Sequence, residues 1–92
     1  MEQRRLADEF AAAFRRWAEG DAVAMDDLIR LATPPMWCVA RDQGLSPESA
    51  AGVIEATWFA VVRDGARLLT PQNALASILA TVRHAARGHR RR

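Results

Sequence analysis

The chain has a single cysteine, no lysine, and no apolar run approaching the roughly 20 residues that a membrane-spanning helix needs. Each absence excludes something. The lone Cys38 cannot close an intrachain disulfide, which suits a reducing compartment, and inside the apolar stretch MWCVA it is expected to be a buried structural thiol. The opening MEQRRLADEF alternates charge where a secretory signal would be continuously apolar. A cytoplasmic protein with no membrane contact is therefore expected. No glycine-rich phosphate loop, strand-like alternation or internal repeat is present. His84 and His89 stand five residues apart, a spacing that on a helix turns them in different directions rather than toward one metal ion. With no nucleophile beside a base and no paired catalytic carboxylates, neither an enzyme nor a cofactor or metal site is expected.

What is present favours helix. Half of the 92 residues are hydrophobic, alanine is abundant and β-branched residues are few, so one small all-α domain, a bundle of four to five helices, is expected. Leu6, Phe10, Phe14 and Trp17 follow helical spacing, and Gly20 is placed to end that first helix. Asp21 can cap the next, with Met25, Leu28, Ile29 and Ala32 on one stripe. Thr33-Pro34-Pro35 either restarts a helix or kinks a longer one before Gly44. Ser46-Pro47-Glu48 is a strong helix start, followed by Ala50, Val53, Ile54, Thr57, Trp58, Val61 and Val62 at spacings of three and four. Asp64-Gly65 is expected to close that helix, and Ala66 to Leu69 to form a linker. Thr70-Pro71 caps the last helix, with Ala74, Leu75, Ile78, Leu79, Val82 and Ala86 inward and a frayed tail from Gly88.

Charge is unevenly placed. Every cation is an arginine; residues 1–82 carry a net −3, whereas residues 83–92 carry five arginines and no acid. A basic helix end suits the helix dipole whatever it binds. A mildly acidic body with one basic end also fits a partner that is negative at one face, such as nucleic acid.

Three stretches, in order, carry a family resemblance. WAEGDAVAMDDLIRLATPPMWCVARDQGL has a "GD" turn before a helix, then proline and an aromatic, then an Ala-Arg pair and a glycine. SPESAAGVIEATWFAVV and ILATVRHAARGHRRR follow it. The set resembles the region 2 domain of bacterial RNA polymerase sigma factors of the extracytoplasmic-function type, over residues 8 to 92. The resemblance implies a non-enzymatic transcription factor that binds core RNA polymerase, at the clamp of its largest subunit, and recognises or melts the promoter −10 element on the non-template strand. It assigns polymerase contact to Glu48, Gly52, Glu55, Ala56 and Phe59. It assigns DNA contact to Asp64, Arg67, Thr70 and Asn73 around a base-capturing loop over 64–70, and to Arg83, His84, Arg87 and Arg90 along the last helix. The family's second helical domain, which reads the −35 element, has no counterpart in these residues.

Departures from the pattern are as specific as the matches. Ala51-Gly52 and Glu55-Ala56 stand where the family has acidic and glutamine-glutamate pairs, Ser77 where it has tryptophan, His84 where it has asparagine, and Gly88 where it has aspartate. These losses imply an alternative: a degenerate sigma-like module that binds an anti-sigma factor or another regulator without opening DNA. Gly52, unfavourable inside a helix by about 1 kcal/mol relative to alanine, implies either close approach of another helix or relaxed selection.

Overall fold

The computed structural model describes residues 2–90, and the side chains of residues 4–89. Among the described residues there are four helices, α1 (Glu2–Ala18), α2 (Ala24–Asp42), α3 (Pro47–Leu68) and α4 (Ala74–Arg90), and no strand. The domain is all-α, a compact four-helix bundle.

Local chemistry fixes the first two helix ends. Gly20 and Gly44 adopt φ of 105° and 90°, the left-handed region that glycine enters without steric cost. At α1 the amide of Gly20 donates to Trp17 O at 3.0 Å and that of Asp21 to Arg16 O at 2.9 Å; Gly44 and Leu45 make the corresponding bonds to Arg41 O and Ala40 O. Both are paired C-terminal bonds of the Schellman type, which satisfy carbonyls that the helix end would leave orphaned. Between α1 and α2, the Asp21 carboxylate accepts from the Val23 amide at 3.1 Å and opens the turn into α2. Arg16 clamps the same corner, donating to Asp27 at 2.7 Å.

Thr33-Pro34-Pro35 neither restarts nor divides α2, which runs unbroken through both prolines. Proline at 34 and 35 withdraws the amides that would meet the carbonyls of residues 30 and 31. Packing compensates: Ala24, Leu28, Ala32, Met36 and Ala40, every fourth residue, are fully buried. The matching row on α4 is Ala74, Ile78, Val82 and Ala86. Helices α2 and α4 each pack on all three others, so they form the central pair with α1 and α3 as flanks.

The largest departure from expectation is at the end of α3. Asp64-Gly65 does not close the helix, which continues to Leu68 and absorbs most of the expected linker. Gly65 is a buried packing position: a Cβ there would stand 3.1 Å from Val61 Cγ1 and 3.5 Å from the Trp17 ring. Trp17 itself packs edge-on to Phe14, with ring centroids 5.5 Å apart. Gly65 thus sits inside the packing rather than at a turn: an added Cβ would crowd Val61 of its own helix and make only ordinary contact with the α1 indole.

Smaller corrections follow from the same packing. Cys38 is exposed, because the buried row of α2 passes through Met36 and Ala40 instead. Ile29 and Val62 also face solvent, at positions between the buried rows. Residues 88–90 continue α4 rather than fraying; Arg91 and Arg92 lie outside the described residues. Gly52 and Gly88 both have open space where a Cβ would stand, so no part of this chain demands either glycine.

The glycines therefore separate by context. Gly52→Ala and Gly88→Ala should each stabilise the domain, by up to about 1 kcal/mol, because alanine is the better helix residue and nothing opposes its methyl. Gly65→Leu should destabilise it by about 1–3 kcal/mol through overpacking against Trp17 and Val61. Urea unfolding of the three variants measures all of these shifts.

Candidate functional site

Helix α3 presents two unlike faces. Ala50, Val53, Ile54, Thr57, Val61 and Gly65 are buried, and the Thr57 hydroxyl is satisfied by donating to Val53 O at 2.8 Å. The opposite face carries Glu48, Gly52, Glu55, Ala56 and Phe59, all exposed and within an arc of about 100° at 3.6 residues per turn. Phe59 is 68% exposed and Val62 59%. Two large apolar side chains one turn apart in water, on a helix whose other face supplies the core, form a surface that burial would stabilise.

The residues expected around DNA fall into three groups. Asp64 and Arg67 lie on α3, not in a loop, and they are joined: Arg67 donates to Asp64 at 3.1 Å, and Arg63 Nε donates to the other carboxylate oxygen at 2.9 Å. These bonds hold the Asp64 carboxyl below the usual carboxylate range, Arg63 contributing first and Arg67 second. Thr70 and Asn73 form the second group. The Thr70 amide donates to Asn73 Oδ1 at 2.9 Å, and the Asn73 amide donates to Thr70 Oγ1 at 3.3 Å. This reciprocal pair caps α4 and engages both side chains. The connection between α3 and α4 accordingly spans only residues 69–73.

The third group lies along α4. Arg83 and Arg87 each follow a buried residue, Val82 and Ala86, by one position, so they turn away from the core and sit one turn apart. Both are exposed, and neither makes an ion pair among the described residues. The Arg90 side chain lies outside the described residues.

His84 belongs elsewhere. Together with Ala85, Gly88 and His89 it lines a groove whose other wall is Glu48, Ser49, Gly52, Val53 and Ala56 of α3. The two histidines therefore flank one groove on either side of Ala85 and Gly88, where sequence spacing alone pointed them apart. No group of three potential metal ligands occurs among the described residues. At the far end of the α3–α4 seam, Thr57, Asp64, Leu68, Leu69, Ser77 and Thr81 help to line an open hollow of about 160 Å3. Ser77 leaves room there that a larger residue would occupy. Sequence reasoning did not anticipate this hollow, although its signal was present in the row Thr57, Val61, Gly65 and Leu69, which continues the buried spacing past Asp64.

Comparison with known proteins gives no match to a family model, to a curated protein or to a solved structure. No helix among the described residues is long and apolar enough to cross a membrane.

The ion triad makes a direct prediction. The Asp64 carboxyl should titrate below the ordinary carboxylate range by carbon-detected NMR, and should move back toward it in Arg63→Ala and Arg67→Ala. A lowered folded pKa stabilises the fold above the unfolded value, and that contribution is lost as pH falls through the folded pKa. Asp64→Asn should therefore flatten the loss of stability in the acidic limb. A carboxyl that titrates normally in the parent protein would contradict the pairing.

Proposed function

We propose that this domain acts as a sigma factor region 2 module that binds core RNA polymerase through the outward face of α3 and the −10 non-template strand of promoter DNA through α4. The observation that carries the reading is the pair Arg83 and Arg87: two exposed guanidinium groups one turn apart on an ordered helix, with no carboxylate committed to them among the described residues. Guanidinium forks suit phosphate oxygens, and a rigid helix holds the two at a spacing that follows one strand. The apolar, partly acidic face of α3 lies on a neighbouring helix, so a protein partner and a nucleic acid can be held at the same time.

The hollow beside Asp64 and Leu69 suits the other half of the assignment. Single strands are gripped by a cationic track together with pockets for unstacked bases, and this hollow stands where α3 hands over to α4. Transcription initiation in the cytoplasm is the setting such a module would have.

One observation favours the second reading, a sigma-like module that binds an anti-sigma factor or another regulator without opening DNA. Asp64 and Arg67 are tied together within α3, with Arg63 on the same carboxylate, and Thr70 and Asn73 are committed to a helix cap. Four of the residues assigned to DNA contact are thereby engaged in holding the fold. The two readings separate on sequence preference: a module that only meets regulators has no reason to discriminate among promoter strands.

Arg83→Ala with Arg87→Ala should weaken binding to single-stranded promoter DNA by a similar factor for every sequence. The salt slope should fall by about 0.7 for each phosphate that an arginine no longer neutralises. Fluorescence anisotropy across a salt series measures both. Unchanged affinity in the double variant would reject the α4 track, and absence of core polymerase association would reject the module as a whole.

A further inference from the structure

We propose that the outward face of α3 is also an interface between two copies of this chain, related by a two-fold axis that passes beside Phe59. The order of residues along that face points to it. Phe59 stands at the centre, directly opposite the buried row, and is largely exposed. One turn before it is Glu55; one turn after it is Arg63. Laid against a second α3 running the other way, this i±4 row sets Phe59 on Phe59 and brings each Glu55 to the Arg63 of the other copy.

The remaining positions obey the same symmetry. Ala56 and Val62 lie three residues either side of Phe59, so each small apolar residue meets a larger one, and Val62 gains the burial that the monomer denies it. Gly52 and Ala66 lie seven residues either side, and both are exposed and small, so neither obstructs the second helix. Gly52 has open space where its Cβ would stand, so a second α3 could approach it without displacing any atom of this chain. A face shaped only by solvent has no reason to be complementary to its own reverse.

Arg63 remains available for the pairing. It engages Asp64 through Nε, and a guanidinium has further donors on its two terminal nitrogens. The dimer therefore adds a carboxylate to Arg63 without removing the one it holds.

One helix pair buries less than the standard interface of about 1,600 Å2, so the association is weak, with a dissociation constant of about 100 µM. It goes beyond the function proposed above and does not depend on it. Where both hold, the dimer hides the face that polymerase would use, and self-association opposes polymerase binding.

Sedimentation equilibrium on the 92-residue chain, up to about 1 mM, tests the proposal. A monomer–dimer equilibrium is expected. Phe59→Glu should abolish it while leaving the circular dichroism spectrum unchanged, since Phe59 lies outside the core. Glu55→Arg alone and Arg63→Glu alone should each raise the dissociation constant about tenfold by setting like charges together, and the double exchange should restore it. Monomer at every concentration would overturn the proposal, as would a dimer that survives Phe59→Glu or is not restored by the double exchange. A strictly monomeric protein whose capture of core polymerase is abolished by Phe59→Glu would overturn the dimer and leave the function proposed above standing.

Discussion

The structure depends on two rows of side chains that meet at the centre of the bundle. On α2, Ala24, Leu28, Ala32, Met36 and Ala40 alternate small and large; on α4 the row is Ala74, Ile78, Val82 and Ala86. Rows spaced by four residues form the ridges that adjacent helices interlock, and small residues between large ones admit the neighbouring ridge. Because α2 and α4 touch every other helix, this seam sets the positions of α1 and α3 as well. It also explains how α2 keeps two adjacent prolines. The burial forfeited if the helix broke at Pro34 would include Met36 and Ala40, and buried apolar area is worth about 25 cal/mol per Å2.

The exposed surfaces follow from what the rows leave outside. A residue one position after a buried row member turns about 100° from the core, which is where Arg83 and Arg87 stand. On α3 the buried row runs from Ala50 to Gly65, and Phe59 falls opposite it. Two surfaces of different chemistry thus arise from one packing scheme, a cationic one on α4 and an apolar one on α3. Neither needs a loop to position it. A site on rigid helices keeps its geometry before a partner arrives, which lowers the ordering cost of binding.

The order of the helices was legible in the sequence, and their number to within one, because strong local signals mark nearly every boundary except the prolines inside α2. Gly20, Gly44, Ser46-Pro47 and Thr70-Pro71 each stop or start a helix by chemistry that acts within a few residues. The end of α3 was not legible from such signals. Gly65 looks like a helix stop locally, whereas it lies buried inside α3 between Val61 and the Trp17 ring of α1. Cys38 misled for a similar reason: MWCVA is apolar throughout, and the choice of which side to bury is made by the α2–α4 seam. Arg83, Arg87 and Phe59 were singled out by the family resemblance, and all three are exposed. The pairing of Asp64 with Arg67, and of Thr70 with Asn73, depended on where α3 ended and so could not be read in advance.

Nucleic acid held by the ordered face of α4, with a protein partner on the separate face of α3, is the central claim. Backbone NMR of the labelled domain, titrated with a single-stranded promoter oligonucleotide at low salt, tests it most directly. Shifts should concentrate at Arg83, Arg87 and the residues between them, with smaller changes around Leu69 and Thr81, while Glu55 and Phe59 stay fixed. Shifts centred on Glu55 and Phe59, or no shift along α4 at saturating oligonucleotide, would contradict it.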